Sequence, residues 1–249
     1  MKRQNILITG ASSGLGYTMA KLYAKRGKNL ALCARRVERL EELKTEILGI
    51  NPDAVVSIRS LDVNDHDQVF EVFKLFADDL GRLDRVIVNA GMGKGAPLGT
   101  GYFHANKKTA TTNFVSAIAQ CEAALELFRS QNHGHLVTIS SVSAVRGFPK
   151  AMTVYAATKV ALTNLSEGIR ADLLGTPIKV TTIHPGFIHS EMNEKVENSP
   201  FMVDTQTGCE AILKSIEKEG ASSYVPAWPW EVVARVMKIV PLSLIKKMS

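Results

Sequence analysis

Tyr155 and Lys159 stand four residues apart in a run of good helix formers from Tyr155 to Leu173, which places them on one helix face. An ammonium held near a phenol favours the phenolate and lowers a pKa that is ordinarily about 10. Such a pair can donate and accept a proton near neutral pH. The spacing suits equally a half-buried tyrosine beside a solvated lysine, so its meaning depends on what accompanies it.

Near the start of the chain stands Thr9-Gly10-Ala11-Ser12-Ser13-Gly14-Leu15-Gly16, with glycines spaced G-x-x-x-G-x-G. Glycines there let the backbone turn tightly and approach a pyrophosphate, whose charge is met by free N–H groups at a helix start. A plain glycine turn before a helix is the simpler alternative. Further on, Leu32-Cys33-Ala34-Arg35-Arg36 offers two guanidiniums where a free ribose 2′-hydroxyl is usually met by an acid. A guanidinium can clamp a 2′-phosphate through paired bonds, which favours NADP(H) over NAD(H). Arg35 is the stronger candidate, with Ser13 as a second phosphate contact; Arg36 fits equally as an exposed helix-start residue. Asp62, followed by Val63, can accept a bond from an adenine amino group or cap the next helix. Asn89-Ala90-Gly91 are small enough to let a nucleotide pass close to the backbone.

These residues need a frame. Runs at 4–9, 29–34, 54–60, 84–89, 134–140, 178–184 and 222–226 are rich in Ile, Val and Leu, as strands covered on both faces are. Helical patterns at 14–26, 36–49, 65–79, 108–131, 155–174, 205–219 and 229–248, the last interrupted by Pro241, alternate with them. The alternation predicts βαβ units in one doubly wound α/β domain of about seven parallel strands with helices on both faces, spanning 1–249. In such folds ligands bind beyond the carboxyl ends of the strands, where the residues singled out above fall.

Composition narrows the reading. The three cysteines, Cys33, Cys121 and Cys209, are too few and too scattered for a disulfide framework or metal knuckle. The net charge of +6 is dispersed over short basic pairs, which argues against nucleic acid. None of the six histidines has metal-ligand spacing, and His133-Gly134-His135 reads as a turn into the fifth strand. No export signal and no span of about 20 apolar residues is visible, so the cytoplasm is the expected location.

With these motifs in order, the chain resembles the short-chain dehydrogenase/reductase family from about Asn5 to Met192. The resemblance rests on the Thr9–Gly16 loop, Asp62-Val63, Asn89-Ala90-Gly91, Asn113, Ser140-Ser141, Tyr155 with Lys159, and Pro185-Gly186. It implies a Rossmann-like fold and hydride transfer between NADP(H) and a carbonyl or secondary alcohol. By the same resemblance Tyr155 is the acid/base at the carbonyl oxygen, and Lys159 holds the nicotinamide ribose and lowers the pKa of Tyr155. Ser141 would hydrogen-bond the carbonyl oxygen, and Asn113 would anchor a water linking Lys159 to solvent. Beyond Pro185-Gly186, the Ile188 backbone would bind the nicotinamide carboxamide, and Ser190 the carboxamide or a phosphate. Helices at 108–131 and 155–174 would build a homodimer or homotetramer.

Two features depart from the family pattern. Ser141 stands fourteen residues before Tyr155, where the family places its serine thirteen before. Val142 occupies that position and has no hydroxyl, so the extra residue is assigned between Pro149 and Tyr155. Ser141 is then first choice, Ser143 second and Ser140 third. The stretch Met92-Gly93-Lys94-Gly95-Ala96-Pro97 is also unusually rich in glycine. A substrate loop is expected at 187–204, and its Phe187, Met192, Phe201 and Met202, with Phe148 and Met152, suggest a hydrophobic pocket. His189 can touch substrate or merely be exposed. The amphipathic, basic C-terminal extension can lie on a membrane surface, cover a neighbouring subunit or pack on its own domain. Two other functions use the same cofactor: a regulatory NADP(H)-binding protein without turnover, and a non-redox isomerase, for which the chain lacks room for the usual larger substrate domain.

Overall fold

Seven apolar runs become strands: β1 Asn5–Thr9, β2 Asn29–Ala34, β3 Val56–Ser60, β4 Arg85–Val88, β5 Gly134–Ile139, β6 Ile178–Pro185 and β7 Ser222–Val225. The computed structural model describes residues 3–93, 95–191 and 200–247. The expectations that involve Lys94, Met192 and the centre of the 187–204 loop therefore lie outside the described residues. The strands form one parallel sheet in the order β3-β2-β1-β4-β5-β6-β7. The order reverses between β1 and β4, which opens a crevice beyond their carboxyl ends.

Nine α-helices among the described residues connect the strands: α1 Gly14–Lys25, α2 Val37–Ile50, α3 His66–Leu80, α4 Phe103–Ala110, α5 Ser116–Gln131, α6 Met152–Asp172, α7 Thr205–Glu217, α8 Ala227–Ile239 and α9 Leu242–Lys247. Alternate strand residues feed two cores. Ile6, Ile8, Leu30 and Leu32 pack against α1, α2 and α7 on one face, and Leu7, Val86, Val88 and Leu136 pack against α3 and α5 on the other. Burial on both faces is why the strands carry little polar alternation.

The helix expected at 108–131 starts earlier, at Phe103, and is interrupted by a π-turn, Thr111–Val115, that contains Asn113. A short 3-10 turn, Val142–Val145, follows β5. The C-terminal segment breaks before Pro241, as its missing N–H requires.

At the amino ends of the strands lies a buried ionic cluster. Arg85 donates from Nε to His135 Nδ1 at 2.9 Å and from Nη1 to Glu217 Oε1 at 2.6 Å. Arg3 pairs with Glu219 at 2.7 Å and approaches His133 Nε2 at 2.8 Å. His133 and His135 are thus buried members of this cluster rather than simple turn residues. Burial, with Arg85 and Arg3 alongside, holds the His135 imidazole well below its ordinary range, and burial also lowers His133.

Candidate active site

The Thr9–Gly16 loop owes its shape to glycine at two positions. Gly10 (φ 66°) and Gly14 (φ 54°) adopt left-handed backbone that penalises a Cβ. Gly16 has a different reason: a Cβ there would fall 2.4 Å from the Gly10 carbonyl oxygen. Ser13 caps α1 in extended backbone, yet its side chain makes no bond to the helix. Its hydroxyl and the unpaired N–H groups opening α1 are therefore available to an anion. Asn89 locks the loop, donating from Nδ2 to the Thr9 carbonyl at 2.9 Å, while Thr9 Oγ1 accepts from the N–H groups of Asn89 and Ala90 at 3.1 and 3.0 Å.

Beyond β2, Arg35 is exposed and makes no hydrogen bond or ion pair among the described residues. Arg36 is engaged: Nε lies 3.3 Å from Ser12 Oγ, and Nη2 lies 3.3 Å from Glu191 Oε2. Asp62 does not cap α3. That role belongs to Asp65, whose side chain accepts from the Gln68 N–H. Asp62 instead accepts through Oδ1 from the Asn64 backbone and side chain, at 3.0 and 2.8 Å.

Ser141, Tyr155 and Lys159 meet where β5, the 3-10 turn and α6 converge. Lys159 is buried, and its Nζ donates to the Ile139 carbonyl at 2.9 Å. It lies 5.8 Å from the centre of the Tyr155 ring. Burial brings the ammonium down to about 8. The expectation that Lys159 depresses Tyr155 is not met. Burial dominates and raises the phenol, and the lowering influence comes from a hydrogen bond with Ser141. Ser141 Oγ accepts from the Ser143 N–H at 3.0 Å, which starts the 3-10 turn and leaves its own proton to donate outward. Ser140 also lines the groove, but its hydroxyl is engaged by α6, donating to the Lys159 carbonyl at 3.0 Å and meeting Thr163 Oγ1 at 2.9 Å. The turn between Pro149 and α6, with Lys150 at φ 59°, lies in the interval to which the extra residue was assigned.

Asn113 sits on the π-turn, and its side chain clamps the Met92 backbone: Oδ1 accepts from the N–H at 2.8 Å and Nδ2 donates to the carbonyl at 2.9 Å. Its amide is thereby occupied by the chain that leaves β4. The Gly91 position sits between Asn113 and Lys159, where a Cβ would come 3.3 Å from Asn113 Oδ1 and 3.8 Å from Lys159 Nζ.

Past β6, Gly186 donates to the Val225 carbonyl at 2.8 Å. A Cβ on Gly186 would fall 2.0 Å from Trp230 Nε1. Trp230 of α8 is buried there and meets Phe187 edge-on at 5.4 Å and Phe201 at 6.1 Å. Ile188 is buried and bridged to Val203, and Ser190 lies against Gly14. Three residues not singled out in the sequence support this end. Trp230 backs Gly186. His184 joins the Ser141 carbonyl (3.3 Å) to Ser222 Oγ (3.0 Å). Arg146 donates from Nη1 to the Met237 carbonyl at 2.7 Å and to the Val240 carbonyl, closing the carboxyl end of α8.

One groove of about 410 Å³ collects these pieces. Lining it are Gly10, Ser12, Ser13, Gly14, Leu15, Arg35, Arg36, Asp62, Val63, Asn89, Ala90, Gly91, Pro185, Gly186, Ile188 and Ser190 together with Ser141, Ser143, Tyr155 and Lys159. Gly16 and Asn113 stand behind the lining. Of the apolar pocket residues, Met152 and Phe187 line the groove, whereas Phe148, Phe201 and Met202 do not. His189 is exposed outside it. Among the described residues no cluster of His, Cys, Asp or Glu fits a metal ion. The three cysteines are buried and unpaired, with burial pushing Cys121 and Cys209 up to about 12.

Comparison with known proteins bears on this geometry. The model of the short chain dehydrogenase family matches residues 4–200. An uncharacterized oxidoreductase of Mycobacterium tuberculosis is 48% identical over 247 residues, covering 99% of this chain and 98% of its own. The crystal structure of levodione reductase superposes with a TM-score of 0.80 at 24% identity, covering 90% of this chain and 95% of its own. An alcohol dehydrogenase from Thermococcus sibiricus, complexed with 5-hydroxy-NADP, superposes at 0.79 with 23% identity, covering 90% and 95%. At those identities the two structures speak to the fold alone, a parallel sheet with helices on both faces. The family match over residues 4–200 and the near-complete relative together establish that this chain belongs to the short-chain dehydrogenase family of oxidoreductases.

Proposed function

We propose that this chain is an NADP(H)-dependent reductase or dehydrogenase acting on the carbonyl or secondary alcohol of a small hydrophobic molecule. The observation that carries the reading is the arrangement of one groove. Tyr155, Ser141 and buried Lys159 meet at one end, and a glycine cradle with an unpaired Arg35 lies at the other. The residues suit the cofactor: a side chain at Gly10 would strike the Ala90 backbone and one at Gly16 the Gly10 carbonyl, and among the described residues the Ser13 hydroxyl makes no bond to the helix and Arg35 has no competing carboxylate. Arg35, with Arg36 beside it, meets the 2′-phosphate that distinguishes NADP(H) from NAD(H).

The bound nicotinamide supplies or takes the hydride. The chain's own residues handle the proton and the charge. Ser141 donates to the carbonyl oxygen and stabilises the negative charge that develops on it. Tyr155 gives that oxygen its proton in reduction, and burial keeps the phenol protonated at neutral pH, the form that donates. Lys159, mostly protonated at pH 7, holds the ribose and returns a proton toward Tyr155. Asn113 keeps the Met92 backbone and the β4 exit in register with Lys159. Ile188 and Ser190 hold the carboxamide end, and Ser143 and Met152 flank the substrate.

The reading extends to the whole chain as one domain over 1–249, with a substrate loop at 187–204 and a homo-oligomer built through α4 to α6. Exposed Phe103, Ile118 and Val160 on those helices support the last point. Three buried free thiols suit a reducing cytoplasm. NADPH oxidation against a panel of ketones, aldehydes and diketones tests the proposal, with NADH and Tyr155→Phe run in parallel. The expected result is turnover with NADPH, weaker turnover with NADH and loss in the variant. Tight NADPH binding without turnover across the panel would favour a regulatory protein or a non-redox isomerase instead.

A further inference from the structure

The C-terminal helices bury their smaller apolar face and expose the larger one. In α8, Trp230 and Ala234 pack inward. Val232, Val236 and Ile239, spaced along the opposite face, are exposed, Ile239 at 81%, and Trp228, at the non-helical kink where the segment begins, is exposed at 77%. Leu242 and Leu244 of α9 continue the exposed set. This is not a loose end of chain, because Arg146 holds the carboxyl end of α8 and Trp230 anchors its start under Phe187. Along the segment stand Arg235, Lys238, Lys246 and Lys247, all exposed and none ion-paired among the described residues, against a single acid within residues 227–247, Glu231.

We infer that this face docks on an anionic lipid surface. A stripe of Trp, Val, Ile and Leu flanked by unpaired cations has the two attractions that hold an interfacial helix: buried apolar area and charge opposite to the headgroups. A second copy of the chain fits the charge poorly, since a two-fold contact through this face would press its unpaired cations against their symmetry mates. Insertion across the bilayer is not involved, because no helix among the described residues is long and apolar enough to cross one. The face lies directly behind Trp230, Gly186 and Phe187. If the proposed reductase function holds, docking brings the substrate end of the groove close to a reservoir of hydrophobic carbonyl compounds.

Co-sedimentation of the full chain with vesicles tests the inference without any turnover, so it can fail independently of the reductase reading. Binding is expected to phosphatidylglycerol-containing vesicles, to fall steeply with salt, and to be weak on pure phosphatidylcholine. The paired change Val236→Asp with Ile239→Asp should abolish it, and Lys238→Glu should weaken it about five-fold or more. Both alter exposed side chains outside the groove, and circular dichroism checks that the variants fold. Equal binding to neutral and anionic vesicles, or none to either, would overturn the inference. So would lipid-free self-association that the Val236→Asp/Ile239→Asp variant abolishes, which would assign the face to a second copy.

Discussion

Replacing Lys159 with Met is expected to make the folded protein more stable at pH 7 while removing its activity. The ammonium is buried, and its pKa falls from 10.5 to about 8 because burial disfavours the charge. A fall of that size corresponds to about 3 kcal/mol acting against the protonated folded state. Met fills a similar volume with no charge to desolvate. It also leaves the Ile139 carbonyl without its 2.9 Å donor, at a cost of roughly 1–2 kcal/mol. The net gain is about 1–2 kcal/mol, or a rise in Tm of roughly 2–8 °C for a chain of this size. The sign has a pH signature. The unfolded lysine binds its proton up to 10.5 and the folded one only to about 8, so the penalty is complete below pH 8 and fades between those values. Urea unfolding of both proteins at one fixed concentration, from pH 7 upward, should show the variant's advantage shrinking through that window. Above it the variant should become the less stable protein, since only the lost hydrogen bond remains. An advantage that is absent at pH 7, or constant across the window, would refute the reasoning about burial.

Three further outcomes are expected. Arg35→Ser should raise KM for NADPH by roughly 10- to 100-fold, the worth of a charge-assisted bond, and leave NADH kinetics unchanged; equal loss with both cofactors would remove Arg35 from the 2′-phosphate. Glu191→Gln frees Arg36 from its 3.3 Å exposed partner and should tighten NADPH binding only about two- to five-fold, as titration calorimetry can read. At the opposite end of the sheet, His135 is held neutral by burial and by Arg85 and Arg3, with Glu219 at 3.6 Å. The unfolded chain therefore takes up a proton below about pH 6.5 that the folded chain refuses, and stability must fall with acidification. His135→Asn should flatten that slope by up to about 1.4 kcal/mol per pH unit, and an unchanged slope in acid unfolding would show that His135 is not responsible.

The strands and the shape of the glycine loop were legible because their causes are local. An Ile- and Val-rich run covered on both faces declares itself, and β1 to β7 fall within about two residues of the apolar runs. The G-x-x-x-G-x-G loop is equally local, since Gly10 and Gly14 need left-handed backbone and no other residue supplies it cheaply. What was not legible depends on which distant group arrives. Asp62 and Asp65 both offer a carboxylate just before α3, and only the packed chain shows that Asp65 caps it. The Tyr155–Lys159 spacing puts both residues on one helix face, and both line the groove, but spacing says nothing of desolvation. Burial between β5 and α6 reversed the expected shift on Tyr155.

The C-terminal helix shows the same limit from the other side. Hydrophobic periodicity identifies an apolar stripe, and the default inference is that the stripe faces the core. In α8 the stripe of Val232, Val236 and Ile239 faces out, while Trp230 and Ala234 face in. The choice follows from Gly186, whose missing side chain leaves a space that Trp230 fills against Phe187. Gly186→Ala would place a Cβ 2.0 Å from Trp230 Nε1 and should cost about 1–3 kcal/mol by overpacking. The displaced helix should also shift the Trp230 fluorescence. An alanine tolerated there with unchanged fluorescence and Tm would mean that the orientation of α8, and with it the outward apolar face, is set by something other than the fit of Trp230 on Gly186.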